Sequence, residues 1–400
     1  MTMHVSRRAA VLGAAALAAP LATPRGARGQ AATLRLGVLT PLTGAGAFDG
    51  PRMLKAMQAV ATEVNAAGGV LGRQVELVVE DSETNPEAAV RAARKLIDVE
   101  KVPVIMGTWA SAVTTAVAPV CWESKTFLTT TSGADSITKL PHQGYLIRTQ
   151  PNNFLQATKH AEFIIRHGSK RVFILSIQAP FTLPTQQRLT EVLTPKGVTV
   201  TGTLIYDKDK TSYRSEVDQA LKTLPDLLYL NGYAPDVGVV LRDLYRADYT
   251  GTKFTQSYAL TAKSLQELPK PVTEGVITVQ PSADVNSPAY AAEVKRLGIA
   301  TPDSYESAAT DWISIVCLTI ARAGQATGTA LRDTVRQITN SDGAKVYTAV
   351  DGLAALKTGK TIKYEGASGP CTFTDIGDII DCKFRFNQVT DGAFKLLEVA

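Results

Sequence analysis

A chain of 400 residues with 45% hydrophobic and 20% charged content has the make-up of an ordinary globular protein with room for two cores. Its formal net charge is +5, but residues 1–31 hold Arg7, Arg8, Arg25 and Arg28 and no acid; the 42 basic groups less these four leave 38 against 37 acidic ones. A mature chain so close to neutral has no electrostatic case for nucleic acid or an anionic membrane surface, and neither is expected as a partner.

Residues 1–31 read as an export signal. Ser6-Arg7-Arg8 precedes the apolar stretch Ala9–Ala19, then Pro20 and a polar, basic region ending at Ala31-Ala32. That stretch is too short to span a bilayer, which needs about twenty apolar residues. The paired arginines resemble a twin-arginine signal, although Ala9 or Ala10 stands where an aromatic residue is often found; a general secretory signal is the alternative. Either route takes the mature chain out of the cytoplasm. No cysteine near the cleavage region offers a lipid anchor, and no later segment is apolar enough for a membrane helix, so no direct membrane insertion is expected.

Leu34–Leu39 is the first predicted strand; it breaks into the loop 40–51, and a long helix follows to Asn65. Gly68-Gly69 ends that helix, because glycine takes the left-handed conformation without a Cβ clash. Val75, Leu77 and Val79 then alternate with Glu76 and Val78 as in a strand that stops at Glu80-Asp81. Asn85-Pro86-Glu87 opens a helix, with a cap, a proline at the first position and an acid in the first turn. Val102–Met106 is a short apolar strand, 107–111 its exit loop, and the next helix is interrupted near Pro119. Thr126–Thr130 is a strand leaving into Thr131–Asp135. This alternation predicts a doubly wound parallel α/β lobe.

Around Arg148–Asn152 the pattern restarts. A helix runs to His167, Arg171–Ile177 is a strand with exit loop 178–184, and Leu227–Leu230 is a strand leaving into Asn231–Pro235. Phe254–Gln256 leaves into Ser257-Tyr258-Ala259. After Val279 the chain is helix-rich, with Tyr305–Ala323 the strongest helix. Cys371 and Cys382 flank a Gly377-Asp378 turn signal, which predicts a hairpin and a local disulfide in an oxidising compartment. Cys121 and Cys317 lie in alanine-rich helical contexts and read as buried thiols.

Two such lobes imply a cleft, and open parallel sheets bind ligands outside the carboxyl ends of their strands. The amides of the 107–111 helix start and the Ser111 hydroxyl suit a carboxylate, unless Ser111 only caps the helix. Thr131, Ser132 and Gly133 offer hydroxyls and exposed backbone on the next strand, with a plain turn as the alternative. Phe181, Tyr233 and Tyr258 occupy strand-exit loops across the cleft, Trp109 adds another large face, and Phe48 and Asp49 reach the same cleft. No enzyme and no cofactor or metal are expected. In Gly44-Ala-Gly46-Ala-Phe-Asp-Gly50 the third glycine comes one residue too late for a dinucleotide loop, and no Walker sequence, GxSxG or HExxH is present.

The segments LRLGVLTPLTGAGAFDG, NAAGGVLGRQVELVVEDSETNPEAAVRAARKLI and YLNGYAPDVGVVLRDL resemble the leucine/isoleucine/valine-binding family of ABC-transporter solute receptors. The resemblance implies a type I periplasmic-binding fold: two doubly wound parallel-sheet lobes joined by a three-segment hinge. Residues 32–149 and 282–360 would form lobe 1, and 150–281 and 361–400 lobe 2. The hinges would lie at Thr149–Pro151, Gln280–Pro281 and near Lys360, with the tail returning to the second lobe from about Tyr364. By the same resemblance, Ser111 and Thr131-Ser132-Gly133 hold the ligand's carboxylate and Tyr233 lies over it. In amino-acid binders the position of Tyr258 is usually acidic and holds the α-ammonium, a charge tyrosine cannot supply at neutral pH. The expected ligand is therefore a carboxylate with an apolar or aromatic body and no required amine, unless tyrosine faces or Asp49 hold an ammonium. The implied partner is the membrane permease of an ABC transporter, served by a monomeric receptor. A ligand sensor subunit signalling to a receptor or regulator uses the same fold and remains open.

Overall fold

The computed structural model describes residues 33–282 and 285–400; the expected export signal lies outside the described residues. The first sheet comprises β1 (Leu34–Thr40), β2 (Val75–Asp81), β3 (Val104–Gly107), β4 (Phe127–Thr130) and β5 (Leu146–Arg148), in the order β2-β1-β3-β4-β5 and parallel throughout. Three helices connect it: α1 (Gly50–Ala66), α2 (Pro86–Arg94) and α3 (Ser111–Glu123). Asn85 caps α2 as its sequence suggests, its side-chain oxygen accepting from the Glu87 and Ala88 amides at 2.9 and 3.0 Å.

After α4 (Asn153–His167) the plan repeats. The connected elements are β6 (Arg171–Ile177), α5 (Thr182–Leu193), β7 (Thr199–Tyr206), α6 (Arg214–Leu221), β8 (Leu227–Asn231), α7 (Ala234–Arg246) and β9 (Thr252–Gln256). Then follow the short helices α8 (Ala262–Glu267) and α9 (Lys270–Thr273) and strand β10 (Ile277–Ser282). The order β7-β6-β8-β9-β10 reproduces that of the first sheet, so both lobes are doubly wound α/β units. Helices α10 (Pro288–Leu297), α11 (Ser304–Ala323), α12 (Gly328–Thr339) and α13 (Ala349–Lys357) follow. All of α11 but Tyr305 and the last three residues is buried, and Trp312, Ile313, Ile315–Leu318 and Ile320 from it enter the core of the first lobe. That core also takes residues of β1, β3, β4 and α1. The second sheet has a separate apolar cluster on each face. Among the described residues no helix is long and apolar enough to cross a membrane.

The C-terminal region departs from expectation twice. β11 (Ala344–Val346) and β12 (Ile362–Tyr364) pair in a small sheet, and Tyr364, Cys371 and Phe373 belong to the first lobe's core rather than the second's. The chain joins the second sheet only at β13 (Lys383–Thr390), which runs antiparallel to β10 and turns through Asp391-Gly392 into β14 (Ala393–Val399). That is the true hairpin. A turn does exist at Gly377, where Phe373 bridges Ile379, but Cys371 and Cys382 do not meet across it and both are free thiols. The reason is topological: Cys371 is buried in the first core with its thiol 3.5 Å from Asp311 Oδ2, whereas Cys382 packs on the second sheet near the Ser282 carbonyl. The segment between them passes from one lobe to the other. Cys121 and Cys317 are buried thiols as expected.

Candidate functional site

β3 ends at Gly107, whose φ is +126°; a Cβ there would lie 2.2 Å from the Leu39 carbonyl oxygen, so only glycine makes this turn. The turn delivers Trp109 and the start of α3 to the gap between the lobes. Ala110, not Ser111, is the cap residue of α3; Ser111 is its first residue, and its Oγ accepts from the Ala134 amide at 3.2 Å. It thereby ties α3 to the loop leaving β4. Beneath, the hydroxyls of Thr108, Thr114, Thr130 and Ser132 form one network: Thr114 Oγ1 lies 2.7 Å from Thr108 and 2.5 Å from Ser132. Ser132 also donates to the Trp109 carbonyl at 2.9 Å. Arg148, wholly buried, donates to the Ser132 and Ala134 carbonyls at 2.8 Å each and pairs with Asp378 at 2.5 Å. The 131–135 loop is thus held from two sides, and Gly133 lies so close to Asn153 that a Cβ would meet Asn153 Oδ1 at 2.3 Å.

Facing this frame, Phe181 precedes α5 and Tyr233 caps α7, while Tyr258 follows β9. Trp109 reaches across to Tyr233 and Tyr258, with ring centroids 5.4 and 5.7 Å apart, and Phe181 meets Tyr233 edge-on at 6.0 Å. Trp109, Ser111, Thr131, Gly133, Phe181, Tyr233 and Tyr258 all line one cavity of about 50 Å³. Three expected residues do not. Ser132 lies beneath the wall, its hydroxyl consumed by Thr114 and Trp109. Phe48 and Asp49 line a separate, wider cavity of about 700 Å³ between the lobes, because Arg52, stacked 5.0 Å over Phe48, pairs with Asp303 and Glu306 at the start of α11. Burial and then Asp303 push the Asp49 carboxyl well above the usual range, against the pull of Arg52.

The cavity also takes Asn231, from the expected exit loop of β8, and residues that sequence reasoning missed: Gln150, Asn153, Gln156, His160, Thr185, Tyr229, Gln256 and Tyr305. Asn153 and Gln156 are in the first turn of α4, just past the expected crossover, and that location was a usable signal. His160 and Tyr229 lie inside a helix and a strand, where nothing in the sequence separates a cavity-facing polar group from a buried one. Burial drives the His160 imidazole down to about 3 and raises the phenols of Tyr229, Tyr233, Tyr258 and Tyr305. No aspartate, glutamate, lysine or arginine lines the cavity among the described residues, so its wall is uncharged at neutral pH. What it does present is the amino ends of five helices: α3 at Ser111, α4 at Asn153, α5 behind Phe181, α7 behind Tyr233 and α11 at Tyr305. Such ends carry partial positive charge, although the first amides of α4 are already bonded to the Gly133 carbonyl, Asp135 and Asn152, and those of Tyr305 and Glu306 in α11 to Asp303.

Residues 33–393 match the sequence profile described as periplasmic binding protein. The chain belongs to this family. It is 27% identical to the Leu/Ile/Val-binding protein BraC3 of Rhizobium johnstonii over 217 residues, which span 54% of this chain and 58% of that relative. In structure it is similar to the leucine-binding protein LivK of Thermotoga maritima, with a TM-score of 0.78 at 22% identity over 92% of this chain and 98% of that one. It is also similar to an ABC-transporter solute-binding protein of R. palustris in complex with benzoate, with a TM-score of 0.75 at 18% identity over 92% and 96%. At such identities the two structures speak for the fold alone. They place this periplasmic binding protein among type I folds, as its motifs suggest.

Proposed function

We propose that this periplasmic binding protein is exported, captures a small carboxylate with an apolar or aromatic body and no ammonium group, and delivers it to an ABC permease. The observation that carries the ligand class is the uncharged cavity wall combined with the amino ends of α3, α5 and α7, since the first amides of α4 and α11 are taken within the protein. An isolated ammonium there would be buried without a carboxylate, which is costly. A carboxylate would meet helix-start amides together with the Ser111 and Thr131 hydroxyls. Apolar contact would come from Trp109, Phe181, Tyr233 and Tyr258. A protein of this fold in complex with benzoate is in keeping with the reading, and leucine-binding relatives mark its main rival.

Capture requires motion. The cavity, at about 50 Å³, is smaller than the ~150 Å³ known to admit benzene, so the Trp109–Tyr233 contact must part for a ring to enter. Bending at 149–151, beyond the end of β10 at Ser282 and at 379–383, where the chain passes between lobes, would open the cleft, and closure would present the occupied form to the permease; Gln280 and Pro281, expected as a hinge, are paired with β13 inside the second sheet. Thermal-shift measurements with benzoate and with leucine test the proposal, since a ligand stabilises the form it binds. Benzoate is expected to raise Tm and leucine to leave it unchanged. The reverse pattern would show that an ammonium is accommodated and the ligand class is wrong.

A further inference from the structure

The corner of the cavity contributed by the second lobe is built around two amides. Asn231 ends β8 and Gln256 ends β9, neighbouring parallel strands in which Leu230 pairs with Thr255. Asn231 is wholly buried and Gln256 nearly so, at 6% exposure. Gln256 Nε2 donates to Asn231 Oδ1 at 3.2 Å and to the Tyr229 hydroxyl at 2.9 Å. Tyr229 Oη lies 2.8 Å from His160 Nδ1; with Gln256 donating to that oxygen, its own proton goes to the neutral imidazole. Two atoms have no hydrogen-bond partner within the protein: Asn231 Nδ2, a donor, and Gln256 Oε1, an acceptor.

This remainder does not depend on how the amides are oriented. Exchanging oxygen and nitrogen in both side chains preserves the bond between them and again leaves one donor and one acceptor. Buried amide atoms are rarely left unmatched, because the loss of water is then uncompensated. The group that satisfies both must accept and donate. A carboxylate only accepts, an ammonium only donates, and a bare ring edge does neither. A hydroxyl does both through one atom. A carboxamide also does both, but adds three heavy atoms where a hydroxyl adds one, in a cavity that is already small.

Resting on the carboxylate reading above, we infer that the ligand carries a hydroxyl seated between Asn231 and Gln256, and so is a hydroxy-substituted aromatic acid rather than its unsubstituted parent. Sites built to hydrogen-bond a substrate hydroxyl discriminate strongly against the analogue lacking it, since their own polar groups are then left bare.

Calorimetric titration of the purified chain with benzoate, 3-hydroxybenzoate and 4-hydroxybenzoate at pH 7 tests this directly. At least one hydroxy isomer is expected to bind tenfold or more tightly than benzoate. In Gln256→Leu that ratio is expected to fall to near one, mainly through loss of affinity for the hydroxy acid. If Gln256→Leu does not fold, the comparison in the unaltered protein decides alone. Benzoate binding as tightly as both hydroxy acids would overturn the hydroxyl subsite and leave the carboxylate reading standing. If none of the three binds, the carboxylate reading falls and the inference with it.

Discussion

The two walls of the cavity leave different polar atoms unmatched. On the first lobe, the hydroxyls of Thr108, Thr114, Thr130 and Ser132 are bonded to one another or to backbone, and Arg148 holds the loop carbonyls; the lining atoms left without a partner there, Thr131 Oγ1 and Trp109 Nε1, can both donate. On the second lobe, Asn231 and Gln256 are left half-matched at the ends of adjacent strands. The first wall, its frame satisfied from behind, leaves only donors to face any carboxylate. The second wall, which leaves one donor and one acceptor, selects among carboxylates. The division separates affinity from specificity, and substitutions on the two sides should therefore have different signatures.

The largest effect is expected from the frame's anchor. Arg148 is fully buried, and replacing it by methionine strips Asp378 of its partner and frees the Ser132 and Ala134 carbonyls. Breaking a buried pair in this way typically costs about 3–5 kcal/mol. Urea unfolding of Arg148→Met should show a loss of that order. A loss below about 1 kcal/mol would mean that the loop is held by the hydroxyl network instead. Next in size is Ser111→Ala, which removes one donor to the carboxylate; hydrogen bonds to charged groups contribute roughly 1.5–3 kcal/mol, or about 10- to 150-fold in affinity. The first wall being indifferent to the rest of the ligand, benzoate and its hydroxy analogues should weaken by the same factor in calorimetry. Unchanged affinity would remove Ser111 from the site, and unequal factors would break the division between the walls.

A smaller and pH-dependent effect tests whether the second wall is uncharged. His160 has its folded-state value pushed down to about 3 by burial, against an ordinary 6.5. A depressed value means that its contribution is complete above pH 6.5, where folded and unfolded chains both hold it neutral. As pH falls from 6.5 toward 3, only the unfolded chain takes up the proton, and stability drops by up to about 1.4 kcal/mol per pH unit. Urea midpoints at pH 7, 6 and 5 should fall more steeply in the unaltered protein than in His160→Gln. Parallel slopes would show that the folded protein already carries a protonated His160, and the wall would then be cationic.

These walls were unequally legible in the sequence. The first was readable because glycine, serine and threonine cluster at strand exits, where only backbone-permissive or hydroxyl residues serve; Gly107 and the 131–133 loop stood out for that reason. Tyr233 and Tyr258 were readable as aromatics outside strands. Ser132 misled because position in a loop does not give side-chain direction. Phe48 and Asp49 misled because the loop's fate was set by Arg52, whose partners Asp303 and Glu306 lie some 250 residues further on. The His160–Tyr229–Gln256 chain was invisible, since it depends on which faces of α4, β8 and β9 meet. The doubly wound parallel α/β plan of both lobes, by contrast, follows from the local alternation of strands and helices.

The smallest expected effect concerns the cysteines, and it too separates the lobes. Cys371 belongs to the first core and Cys382 to the second, and burial raises both thiols, Cys382 to about 12, so each stays protonated and inert. Adding a reductant should leave Tm unchanged. A bond between them would fasten the segment that passes between the lobes, and removing it would lower stability by about 2–4 kcal/mol, several degrees in Tm. Such a drop would place Cys371 and Cys382 side by side and restore the hairpin that their spacing suggests. It would also mean that the third connection cannot bend freely, leaving closure to the segments at 149–151 and beyond Ser282. An unchanged Tm keeps all three connections available, and with them the opening between Trp109 and Tyr233 that the small cavity requires.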